Sequence, residues 1–231
     1  MDSTWASGAI ELLRHADSHI NLNTAFDKRI AFISVDNSVE TIIRTFLSLP
    51  SSKSGIKVAR KDIEEAGNVF PQLLELLYKH ASNKLVGIDD ADIEHYHRIR
   101  NKLYHEGTGL SVDDQYLKAY RSIAELLLGN LFNASVKPAS KDRNTLERLI
   151  LNWNEIEHEI NKRIGNIGIT TTHNWEKAIA AGITNDIDAD NVKNLKTARN
   201  RLVHSREIDK KDLEYWVDIS EAILKKLKKE G

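Results

Sequence analysis

Proline, which ends or kinks a helix wherever it falls in the interior, occupies only three of the 231 positions: Pro50, Pro71 and Pro138. Eleven glycines add few further breaks. The stretches between them carry apolar residues at the spacing of a helix face, and none alternates polar and apolar residues with comparable strength. An all-α fold is predicted.

The helices can be placed one by one. Ile30, Phe32, Ile33, Val35, Val39, Ile42, Ile43 and Phe46 mark a long, strongly apolar helix, and Leu49 to Gly55 reads as a loop. Pro71 is placed to open a helix at its first turn, with Leu73, Leu74, Leu76 and Leu77 on the buried side. Asp89, Asp90 and Asp92 supply the acidic start of a helix ending at Gly107, and another runs from about Asp113 to Leu131. The second half reads as a long helix from Thr145 to Ile164, a polar loop from Gly165 to Asn174 and a short helix from Trp175 to Ala181. Asp186, Asp188 and Asp190 introduce the next helix, which ends near His204, and the last runs from Asp209 to Lys229.

The two halves repeat one plan. In the long helices Asn37, Val39, Glu40 and Ile43 fall on Asn154, Ile156, Glu157 and Ile160. Further along, Arg100, Asn101, Leu103 and His105 fall on Arg199, Asn200, Leu202 and His204. In the closing helices Tyr120, Ile123, Glu125 and Leu128 fall on Trp216, Ile219, Glu221 and Leu224. The order of elements is kept while the connections shorten, the pattern a duplication leaves. The polar stretch from Asn133 to Ser140 is the linker. The expected units are residues 1–135, enlarged by a helical insertion over about 50–87, and residues 136–231.

Composition narrows the chemistry. Hydrophobic residues at 41% supply a core, and the absence of cysteine removes disulfides and cysteine-ligated metals. The N-terminus lacks a basic stretch followed by an apolar one, and no apolar run is long enough for a bilayer, so a cytoplasmic protein without a membrane partner is expected. With 33 basic against 34 acidic residues, any grip on nucleic acid has to be a local basic patch.

The segments Arg100-Asn101-Lys102-Leu103-Tyr104-His105 and Arg199-Asn200-Arg201-Leu202-Val203-His204 carry the candidate chemistry. Residues four apart share a helix face, so Asn101 lies over His105 and Asn200 over His204, placed to fix the imidazole. Leu103 with Ile99 and Tyr96, and Leu202 with Ala198 and Leu195, form the opposing apolar stripe. Histidine exchanges a proton near neutral pH, and arginine is a permanent cation whose fork matches two phosphate oxygens.

Both segments match the R-x4-H signature, and the chain resembles a tandem HEPN-type ribonuclease. The resemblance implies helical-bundle units packed as a pseudo-twofold intramolecular dimer, or paired between chains of a homo-oligomer. It further implies a composite site in which Arg100, His105, Arg199 and His204 are catalytic and Asn101 and Asn200 supporting. The expected activity is metal-independent RNA cleavage by the ribose 2′-OH, with no cofactor, in a toxin or anti-phage setting. The alternative it leaves is a non-catalytic module binding RNA or a regulatory protein such as a nucleotidyltransferase antitoxin.

Other residues admit plainer roles. Glu40 and Glu157 fit either an auxiliary acidic site bracing an arginine or a solvated or capping position. Asn37 and Asn154 equally fit polar inter-helical contacts. His95 and His97 point in nearly opposite directions on a helix, against a metal pair. Trp153, Trp175, Trp216 and Tyr120 read as core aromatics. Tyr104 has no aromatic equivalent at Val203, and the lysine-rich end from Lys225 to Lys229 reads as a solvated helix end. The outer bases Arg98, Lys193 and Lys196 fit the preference for cations toward a helix C-terminus.

Overall fold

The computed structural model describes residues 3–67, 69–105, 112–136, 144–164, 189–205 and 209–229. All regular structure among them is helical. The chain divides into two compact units, Met1–Leu85 with Asp89–Asp142, and Val86–Ile88 with Arg143–Gly231.

In the first unit, α1 (Ser7–Leu22) and α2 (Ala25–Ser48) form a helical hairpin. Asn23 closes α1 in the left-handed region at φ 56°, a conformation asparagine tolerates, and the Thr24 hydroxyl caps α2 by accepting from Asp27 N at 3.1 Å. The sequence reading missed α1, whose buried positions are the small Ala9 and Ala16 with Leu13 and Asp17. Those small residues bring α1 close to α2, where Ser38 Oγ donates to Ala9 O at 2.9 Å.

Helix α2 is the axis of this unit. Phe32, Val35, Val39, Ile42, Ile43 and Phe46 are all fully buried. A four-residue turn of helix, α3 (Ser51–Ser54), lies inside the segment read as a loop, with Lys53 N and Ser54 N donating to Pro50 O. It is followed by α4 (Arg60–Ala66) and α5 (Phe70–Ala81). Pro71 sits in the first turn of α5, and Leu73, Leu74, Leu76 and Leu77 are buried, both as expected.

Helix α6 (Asp90–His105) and α7 (Asp114–Phe132) complete the unit, both packing on α2. Phe46 meets Phe132 edge-on at 5.8 Å, and Phe32 meets Tyr120 at 5.4 Å. Arg121 of α7 donates from Nε and Nη2 to the two carboxylate oxygens of Asp17, each at 2.9 Å, and so ties α7 to α1. A bidentate geometry of this kind is what makes a buried pair tolerable.

In the second unit α8 (Thr145–Ile164) packs along α10 (Lys210–Lys229), and α9 (Ala189–His204) packs on both. Leu146, Leu149, Ile150, Trp153, Ile156 and Ile160 recur at helical spacing and are buried. Asn152 Nδ2 donates to Ser220 Oγ at 2.8 Å within this apolar interface. Asn154 Nδ2 donates to Val86 O at 2.7 Å, which holds the segment Val86–Ile88 against α8. Gly87 permits this approach. Its φ is +75°, and an added Cβ would lie 2.3 Å from Asn154 Nδ2.

The loop expected at Gly165–Asn174 and the helix expected at Trp175–Ala181 lie outside the described residues, as do residues 137–140 of the expected linker. Among the described residues no helix is long and apolar enough to cross a membrane.

Candidate functional site

Helix α6 begins on two acids, with Ala91 N donating to the carboxylates of Asp89 and Asp90. That placement also suits the helix dipole. Ile93, Tyr96, His97 and Leu103 then follow at helical spacing and are buried. His97 and Arg100, one turn apart, both reach α2, whereas Arg98, Lys102 and Tyr104 are exposed.

The residue they reach is Asp36, an acid on the buried stripe of α2 with no exposed surface. Its carboxylate receives His97 Nδ1 at 3.1 Å from each oxygen, and the Tyr120 hydroxyl donates to Oδ1 at 2.7 Å. Arg100 Nε lies 3.2 Å from Oδ2. An ionised carboxylate only accepts, so His97 donates from Nδ1. Two hydrogen-bond partners and the Arg100 charge beside one buried anion offset a desolvation cost that an unpaired charge could not survive. Burial pushes the Tyr120 phenol well above its usual value, with the facing Asp36 carboxylate adding to the effect, so Tyr120 stays a donor.

Aromatic rings wall the cluster. Phe70 stacks on His97 at 3.9 Å and 14°, and Tyr96 stacks on Tyr120 at 4.7 Å. Tyr120 is therefore a core aromatic, as expected, and a polar partner as well.

Arg100 is held from three further sides. Nη2 donates to Asn37 Oδ1 at 3.1 Å, Nη1 donates to Asn101 Oδ1 at 3.0 Å, and the guanidinium lies over the Tyr104 ring at 5.5 Å. The inter-helical role expected for Asn37 is thus met by an arginine of the motif. The Asn101 oxygen accepts from Arg100. The neighbouring guanidinium offers it a charged donor, and charge-assisted bonds are the stronger ones. The side chain of His105 lies outside the described residues.

The second motif repeats one of these contacts. Arg199 Nη1 donates to Asn200 Oδ1 at 3.1 Å. Helix α9 has the same 16-residue length as α6, and both end on the histidine of the motif. The differences are larger than the likeness. Arg199 is only 1% exposed and shares the buried face with Leu195, Ala198 and Leu202, whereas the Arg100 side chain is 21% exposed. The sequence had set both arginines opposite the apolar stripe. Trp153, Lys196 and Trp216 stand at the positions corresponding to Asp36, His97 and Tyr120, so the buried carboxylate cluster belongs to the first unit. His204 is half-buried.

Glu40 does brace an arginine, but one on its own helix. Arg44 Nε donates to Glu40 Oε1 at 2.9 Å, and Arg44 Nη1 donates to Gly67 O at 2.7 Å. Glu157 is buried at 3% exposure, which removes the solvated reading. Of the outer bases, Arg98 pairs with Glu94 at the surface, and Arg201 inside the second motif pairs with Asp212. His97 faces Asp36 while His95 is only half-buried, which agrees with their expected divergence. Trp153 is buried, Trp216 is half-buried with Nε1 donating to Asp212 Oδ1, and Trp175 lies outside the described residues.

Asp36, His97 and Tyr120 were missed as a group. The signal was present: Phe32, Asp36, Val39 and Ile43 recur on one face of an apolar helix. An acid on such a face requires a partner.

Comparison with protein-family models, with curated protein sequences and with solved structures gives no match for this chain.

Proposed function

We propose that the chain is a metal-independent endoribonuclease of the HEPN type acting in a toxin or anti-phage role. The observation that carries the reading is the mounting of Arg100. Asn37 and Asn101 each accept one N–H from its two terminal nitrogens, and the buried Asp36 carboxylate pairs with its charge 3.2 Å from Nε. The second N–H on each terminal nitrogen remains as a fork for phosphate oxygens, on a side chain one-fifth exposed. An anchored cation loses little freedom on binding and suits a developing phosphorane charge.

RNA supplies its own nucleophile. In the proposed reaction one histidine of the pair His105 and His204 takes the 2′-OH proton as the 2′-oxygen attacks phosphorus. The bond from phosphorus to the 5′-oxygen breaks, and the other histidine protonates that oxygen. The products are a 2′,3′-cyclic phosphate and a 5′-OH. Each positioned acid or base contributes about 10² to 10⁴-fold. The composite site requires the two units to pair, within one chain or between two copies.

The burial of Arg199 favours a second reading, a binding module for RNA or for a regulatory protein such as a nucleotidyltransferase antitoxin. In it the second motif is architectural. Induced expression separates the two. The ribonuclease reading expects growth arrest that His105→Ala relieves, and harmless accumulation of the wild-type protein without an inhibitor counts against it.

A further inference from the structure

The α1–α2 hairpin carries two histidines that belong to neither motif. His15 and His19 stand four residues apart on α1 and so share one helix face, unlike His95 and His97. Their ring centres are 4.7 Å apart, edge to face. Both rings are tied to α2 through Nδ1. That of His19 lies 2.8 Å from Asp27 Oδ1, and that of His15 lies 3.0 Å from Ser34 Oγ. The other Asp27 oxygen accepts from the Thr24 hydroxyl, so the acid is itself fixed. A carboxylate only accepts and a hydroxyl is able to accept, so each neutral ring donates from Nδ1 and keeps its lone pair on Nε2. Among the described residues neither Nε2 has a bonded partner. His15 is exposed and His19 half-buried, so both rings meet solvent.

We propose that His15 and His19 form a binding site for a late first-row divalent metal ion, of the Zn²⁺, Ni²⁺ and Cu²⁺ class, held through both Nε2 atoms. Imidazole nitrogen suits these ions, whereas Mg²⁺ and Ca²⁺ require oxygen ligands. The ring spacing fits. A metal about 2.1 Å from a ring nitrogen lies about 3.2 Å from the ring centre, so coordination angles of about 90° to 109° require centres about 4.5 to 5.2 Å apart. The far nitrogens fit as well. A metal-bound histidine ordinarily donates its other N–H to a carboxylate or another oxygen, which fixes tautomer and ring plane, and Asp27 and Ser34 occupy those positions. Among the described residues no third His, Asp or Glu completes a metal-holding group with the pair, so water fills the remaining coordination positions and the ion is exchangeable. Neither Arg-Asn-x-Leu-x-His segment contributes a residue, so the site is separate from the proposed cleavage chemistry, which needs no metal.

The test is calorimetric titration of the full chain with Zn²⁺, Ni²⁺, Cu²⁺ and Mg²⁺ at about pH 7.5, where free imidazole is neutral. Electron paramagnetic resonance of the Cu²⁺ form counts the coordinated nitrogens. The wild type is expected to take up one ion through two nitrogens, Cu²⁺ more tightly than Ni²⁺ or Zn²⁺, and to ignore Mg²⁺. His15→Ala and His19→Ala should each weaken binding about 100-fold or more and leave one nitrogen, since a second ligand on the same face adds about 10²- to 10⁴-fold. Asp27→Asn should weaken binding about 10- to 100-fold while both nitrogens remain. Undiminished affinity in both histidine variants would put the ion on others of the nine histidines and overturn the proposal. A wild type that takes up none of the three transition ions overturns it equally. Asp27→Asn binding as tightly as the wild type overturns the support assigned to that acid.

Discussion

The carboxylate of Asp36 on α2 and the guanidinium of Arg100 on α6 form an ion pair of 3.2 Å in which the acid is wholly buried and the base one-fifth exposed. The pair points outward through its cation. Its anion is satisfied from inside by His97 and Tyr120, so the protein holds a partly exposed positive group on a fixed internal support.

Removing that support should be costly. Asp36→Ala leaves the His97 and Tyr120 donors without their acceptor and the Arg100 charge without its counter-ion. A loss of about 3–5 kcal/mol is expected. Asp36→Asn keeps the shape and one acceptor oxygen and should cost about 1–3 kcal/mol. Urea denaturation of both variants checks the order, and two near-neutral substitutions would mean that the cluster is incidental.

Gly87 provides a steric prediction in the second unit. Alanine there must hold φ near +75° and push its methyl to 2.3 Å from Asn154 Nδ2, displacing the bond to Val86 O. The expected cost is roughly 2–4 kcal/mol. Adding Asn154→Ala should not rescue it, because the methyl would also lie 2.5 Å from Asn154 Cα. Thermal unfolding of the single and double variants decides the point, and full rescue would contradict the geometry.

Asp27 makes stability depend on pH at the α1–α2 turn. The Thr24 hydroxyl first, then His19, hold its carboxyl below the ordinary value of 3.8. A depressed folded value means the carboxylate contributes stability above pH 3.8, and that contribution fades as pH falls through the lower folded value. The stability gap between wild type and Asp27→Asn should therefore be full near pH 5 to 6 and close in stronger acid. A gap that widens on acidification would reverse the sign and refute the assignment.

Much of the helix plan was written in local signals. Asp113 and Asp209 cap the helices they were expected to open, with Gln115 N donating to Asp113 and Lys211 N to Asp209. Helix α8 runs from Thr145 to Ile164, as its periodicity predicts. What was not legible depends on partners distant in sequence. Helix α1 buries Asp17 beside Ala9, Leu13 and Ala16, and the arginine that pairs with that acid lies 104 residues away. Val86–Ile88 belongs with α8, where Val86 O accepts from Asn154 beside Gly87, and neither residue announces its partner. In the candidate site the burial of the two motif arginines was not legible. Arg100 and Arg199 occupy like positions in like helices, and only the surrounding residues leave one partly open and the other covered. The acid that fixes Arg100 lies on another helix, where one sequence shows an isolated Asp36 rather than a bond.

The most direct measurement of the proposed function is cleavage of end-labelled RNA in the presence of EDTA by the wild type, His105→Ala and His204→Ala, with the product termini identified. The account predicts 2′,3′-cyclic phosphate ends from the wild type and a loss of at least about 100-fold in each variant. No cleavage of varied RNAs by the wild type, or cleavage that survives both substitutions, would contradict it.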